Sequence, residues 1–174
     1  MEIPADHPLR KLFRELVVRR FYGDAQVRDP EVARYVSELL VQFAHVRNLC
    51  KIRDARGWRL EDVGRMLIES NPLLGAHSFD REREVRKHIG DYTLFLSGLF
   101  PEYVASLPRR GLRLDAFVDY VKAGKESYRI VSCFDQFEYR NEAPLFRRLS
   151  EAFELCVFGL NLVKQDLERI RQEQ

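Results

Sequence analysis

The segment from Ile89 to Phe100, IGDYTLFLSGLF, constrains the fold more than any other part of the chain. It is apolar nearly all round, whereas Arg81 to Lys87 just before it is almost wholly charged. A helix that is apolar on every side has no face for water, so other helices must enclose it. The pattern predicts a fourth helix, capped by Asp80 and running to Leu99, whose second half is the centre of a bundle. Val85, Ile89, Tyr92, Leu96 and Leu99 form its main stripe. Gly90, Ser97 and Gly98 would let neighbouring helices come close. Gly98 equally suits a helix end ahead of Pro101.

The remaining punctuation also marks helix ends. Asp6 and Pro8 start a first helix that Gly23 ends, with Leu9, Leu12, Phe13, Leu16, Val17 and Phe21 on its apolar face. Asp29-Pro30 opens a second helix as an N-cap followed by proline. Its stripe runs Val32, Tyr35, Val36, Leu39, Leu40, Phe43, Val46, Cys50, and Asp54 to Gly57 reads as a turn. A short third helix spans Leu60 to Glu69 and stops at Asn71-Pro72; Leu73 to Phe79 is loop. Pro101 begins a further turn to Leu107, and Pro108 to Gly111 is a connection. A fifth helix covers Leu114 to Phe137, inward at Phe117, Val121, Tyr128, Val131 and Phe134, and breaks at Asn141 to Pro144.

The last helix fills the rest. Leu149, Phe153, Cys156, Leu160, Val163, Leu167 and Ile170 step alternately by four and three, a seam of period about 3.5. From Pro144 to Gln174 it would be roughly 45 Å long at about 1.5 Å per residue. No segment alternates apolar and polar residues for long enough to predict a strand. The expected fold is therefore all-α, one domain over residues 1–174. It is an antiparallel bundle of five to six helices around a buried fourth helix.

Charge and cysteine usage narrow the function classes. Lys+Arg 29 against Asp+Glu 27 leaves a formal charge of +2, no electrostatic case for nucleic acid or an anionic membrane. The amino terminus MEIPADHPLRK lacks the apolar core of a signal peptide, and no run is long enough to span a bilayer. Cys50, Cys133 and Cys156 fit no zinc or redox spacing and read as buried thiols of a cytoplasmic protein. Arg10, Lys11, Arg14, Arg19 and Arg20 sit opposite the apolar face of the first helix, a polar face able to meet phosphate. LEDVGRML (Leu60 to Leu67) has the look of a first helix-turn-helix element. Ser70 to Asp80 is too long for the turn that motif needs.

One polar constellation carries possible chemistry. Glu84, His88 and Asp91 share a helix face, and Asp91 lies in the apolar half, where an ionised carboxylate needs a partner. His45 interrupts the second helix, with Glu38 two turns earlier on the same side. Facing helices would present Glu38, His45, Glu84, His88 and Asp91 to one cavity, a donor set suited to iron, manganese or zinc, or to a small molecule. The di-iron signature Glu-x-x-His on two helices is absent, and no cofactor is firmly implied. The other expectation for Asp91 is an ion pair with an arginine of a neighbouring helix, holding register.

Arg83 and His88 also satisfy Arg-x4-His on a helix. The pair resembles that of the HEPN family of helical ribonucleases, which implies RNA cleavage at a dimer interface. The residue after the arginine, polar in that family, is the acidic Glu84 here. The longer segment REREVRKHIGDYTLFLSGLFPEYV, Arg81 to Val104, resembles a stretch of bacterial proteins of unknown function, and it brings no activity with it.

The sequence thus reads as a bundle without catalysis of its own, serving interaction or assembly. The polar end KQDLERIRQEQ carries Leu167 and Ile170, which pack either on their own domain or against a second chain. Leu160, Val163, Leu167 and Ile170 are the expected contact residues of a homodimer built through the last helix.

Overall fold

Short polar side chains acting as N-caps start half of the described helices. The computed structural model describes residues 3–44, 52–53, 62–76, 78–109 and 118–174. Among them are eight α-helices and no strand. They are α1 (Pro8–Gly23), α2 (Pro30–Phe43), α3 (Val63–Ser70), α4 (Phe79–Leu99), α5 (Pro101–Ser106), α6 (Tyr120–Ser132), α7 (Ala143–Glu151) and α8 (Phe153–Gln172). Short 3₁₀ turns follow at Leu107–Arg109 and Phe137–Tyr139.

Cap geometry explains the starts. The Asp29 carboxylate accepts the N–H groups of Glu31 and Val32, as the Asp-Pro signal predicted. Asp62 and Asp119 do the same for α3 and α6, accepting from Arg65 and Lys122. Two expected caps are displaced. His7, not Asp6, caps α1, its Nδ1 accepting from the Leu9 N–H at 3.1 Å. Ser78, not Asp80, caps α4, which places Asp80 and Glu82 in the first turn, where a carboxylate favours the helix dipole.

Burial of α4 follows its composition: every residue from His88 to Leu99 is buried. It packs most extensively on α6 and also touches α2, α3, α5 and α8. Close approach is built in at two glycines. A Cβ on Gly90 would collide with the Tyr128 ring, and one on Gly98 would lie 2.6 Å from Leu160 side-chain atoms. Gly98 therefore lies within the helix against α8 rather than ending it. One apolar core links α4 to Val17 and Phe21 of α1, Val36 and Leu40 of α2, Met66 of α3, Phe146 of α7 and Phe153 and Leu160 of α8.

Two of the expected helices are cut short or divided. The fifth predicted helix stops at Ser132, short of Phe137; Phe137 has φ 52° and is 92% exposed. A bulky side chain in the left-handed region cannot continue a right-handed helix. Leu114 and Phe117, like Leu60, Val46, Cys50 and the turn at Asp54, lie outside the described residues. The predicted single last helix is interrupted at Ala152, φ −98° and ψ 13°. The break lets α7 pack on α6 and α2 while α8 packs on α4 and α1, so no 45 Å rod projects. Of the cysteines, Cys156 is buried as expected and its thiol is pushed up to about 12 by burial, whereas Cys133 is exposed. No helix among the described residues is long and apolar enough to cross a membrane.

Candidate functional site

Asp91 is the most deeply placed carboxylate of α4, 5% exposed. Its Oδ1 accepts the Tyr35 hydroxyl of α2 at 2.7 Å and the Tyr128 hydroxyl of α6 at 2.6 Å. Its Oδ2 takes the Lys87 ammonium from one turn earlier on α4 at 3.2 Å. The expected arginine is thus replaced by a lysine of the same helix and two phenols. Both phenol O–H groups donate to Oδ1, and the lysine ammonium sets a cation beside Oδ2. Burial, then the nearby Asp91 charge, pushes both Tyr35 and Tyr128 well above the usual phenol range. Ring packing fixes the two donors. Tyr35 meets Phe146 edge-on at 5.5 Å, and Tyr128 lies between Phe146 and Phe153 at 5.7 and 5.8 Å. Such a cluster holds α2, α4 and α6 in one register.

The other residues expected around Asp91 point elsewhere. Glu84 is exposed and pairs with Arg81 at 3.5 Å. Glu38 pairs with Arg10 of α1 and reaches Arg14 at 3.9 Å. His88 is buried between Phe43 of α2 and Tyr92, ring centroids 6.1 and 5.8 Å away. His45 lies outside the described residues. Among the described residues no group of three or more His, Cys, Asp and Glu side chains could hold a metal ion.

Arg83 and His88 have different neighbours. Arg83 lies 4.0 Å above the Tyr139 ring and 5.7 Å from Phe146, and it ion-pairs with Glu142 at 2.7 Å. His88 turns instead toward α2. A helix spacing of five places two side chains well over 100° apart, so Arg-x4-His alone does not bring the pair to one side.

The seam of the last helix is consumed inside the chain. Leu149, Phe153, Cys156, Leu160 and Val163 are fully buried. Leu167 and Ile170 are partly buried and pack on the same core. Four residues expected to meet a second chain thus pack on their own. The opposite face of α8 is the one left open: Leu155 is 47% exposed, Phe158 48%, and Leu162 is partly buried. Spaced i, i+3 and i+7, these three form one stripe about half a turn from the seam. That signal is present in LCVFGLNLV, where the apolar residues cover both sides of the helix.

Larger exposed side chains gather elsewhere, with Leu73, Leu74 and Phe79 near the start of α4 and Phe137 in the turn before α7. The Tyr139 hydroxyl donates to Asp80 at 2.6 Å and ties those two segments together.

Comparison with known proteins adds no assignment: no protein-family model, curated protein or solved structure matches the chain.

Proposed function

We propose that this chain is an interaction and assembly protein, a helical bundle that self-associates through the outer face of α8. The single supporting observation is the apolar stripe of α8 in which Leu155 and Phe158 are about half exposed and Leu162 partly buried, on a helix whose seam is already buried. A surface helix ordinarily turns polar residues outward. A twofold contact needs a patch that fits itself, and one apolar stripe crossing its own copy meets that condition. The titratable side chains near α4 support the same reading, because Asp91, Arg83 and Glu38 already have partners inside the chain.

Sedimentation velocity across a concentration series is the test. The wild-type protein is expected to shift from monomer to dimer as concentration rises. The double variant Leu155→Asp with Phe158→Asp should raise the dimer dissociation constant at least about 30-fold, the weight of one strong interface residue. Its melting temperature should hold, since both side chains are half in water. A wild type that stays monomeric throughout, or a dimer indifferent to the double variant, ends the proposal.

A further inference from the structure

We infer that the outer face of α1, together with the start of α2, is a docking groove for an acidic amphipathic helix of a partner protein. This surface is separate from the α8 stripe, and the inference does not rest on self-association. Two adjoining grooves of about 560 and 320 Å³ meet here and share Arg14 and Val18. Lys11, Arg14, Val18 and Tyr22 run along α1 at helical spacing, cationic at one end and apolar at the other. Arg34 and Ala33 form the α2 side.

The charge of this face is uneven because its acids are drawn away. Glu38 is held by Arg10, and Glu31 turns to Arg148 of α7 at 3.3 Å. Among the described residues Lys11, Arg19 and Arg34 touch no carboxylate, and Arg14 reaches Glu38 only at 3.9 Å. Glu15 is the one acid lining the groove that no cation neutralises. The lining of the two grooves thus carries five cations, Arg10, Lys11, Arg14, Arg19 and Arg34, against two acids, Glu15 and Glu31.

An occupant must therefore bring carboxylates for the rim and an apolar face for Val18 and Tyr22. An amphipathic helix with glutamates flanking an apolar stripe supplies both, and groove recognition of this kind is a recurrent mode. A phosphodiester chain would satisfy the cations, yet it would lay charge over Val18 and Tyr22 and leave that apolar floor without a partner. Complementary charge across such a rim sets the rate and selectivity of encounter, and the apolar floor sets the residence time.

The experiment is fluorescence anisotropy with two labelled probes. One is an amphipathic peptide as long as α1, 16 residues, with leucines at i, i+3 and i+7 and glutamates on both flanks. The other is a single-stranded RNA oligonucleotide. The peptide should bind, more tightly at low salt. Arg14→Glu with Arg34→Glu should weaken it about tenfold, the sum of two exposed attractions turned to repulsions. Val18→Asp should weaken it similarly, while Leu155→Asp with Phe158→Asp should bind as the wild type does. Circular dichroism melts confirm that each variant is folded. No binding of the peptide, binding that survives Val18→Asp, or tighter binding of RNA than of peptide each overturns the inference.

Discussion

Asp91 decides more than its neighbours at the scale of single residues. A buried carboxylate without partners would shift toward its neutral form or drive local opening. Here both oxygens are occupied by two phenols and an ammonium. Hydrogen bonds to a charged group contribute about 1.5–3 kcal/mol each, so Asp91→Asn should cost about 2–4 kcal/mol in urea unfolding. A loss under about 0.5 kcal/mol would show that the charge does not hold the cluster. Tyr35→Phe and Tyr128→Phe should be non-additive in a double-mutant cycle, because both hydroxyls share Oδ1. Alkali acts on the same cluster. The folded-state values of these tyrosines are raised, so their contribution is present below about pH 10 and is lost as the pH climbs beyond it. The sequence supplied Asp91 as a residue needing a partner and placed Tyr35 and Tyr128 on inward stripes. It did not say which inward groups would meet, because that depends on helix rotation and register across three elements.

Helices were the most legible elements. Apolar periodicity located α1, α2 and α4, and local cap chemistry set both ends of α1 and α4 and the start of α2 to within a residue or two, whereas α2 ends at Phe43, short of the expected Cys50. The misplaced ends share a cause. His7 and Ser78 compete with nearby aspartates as caps, and the backbone angles at those positions choose between them. At Ala152 no proline or glycine announces a break; packing of α7 and α8 against different partners favours it over a straight rod. Gly90 offers a test at this scale. Alanine there would gain up to about 1 kcal/mol in helix propensity, but overpacking against Tyr128 costs about 1–3 kcal/mol. Gly90→Ala should therefore be destabilised on balance in chemical unfolding. A more stable variant would mean that α4 and α6 do not approach as closely as described.

At the scale of the whole molecule the first and last long helices are fastened together by one ion pair. The Arg20 guanidinium meets both oxygens of Asp166, at 2.8 and 2.7 Å, and Asp166 is buried. The Arg20 hydrogen bonds hold the Asp166 carboxyl below its usual range. The stabilisation is then present above the unfolded value of about 3.9 and is lost as the pH falls toward the lower folded value. Asp166→Asn should be less stable at neutral pH and should show a shallower loss of stability on acidification below about pH 4, read from melting temperature against pH. Equal acid slopes for the two proteins would place the acid sensitivity elsewhere.

The sequence by itself determined that the chain is helical and that the segment from Ile89 is covered, since a segment without a polar face has no stable place in water; the cover ends at Leu99, one residue short of the expected Phe100, which is half exposed. Tertiary structure alone decided which polar groups share a site. It drew Glu38 to α1, exposed Glu84, and gave Asp91 to Tyr35 and Tyr128. It also decided which side of α8 faces water. Periodicity tells which residues lie on one face of a helix, but the angle at which that face meets its neighbours is set by packing over the whole core.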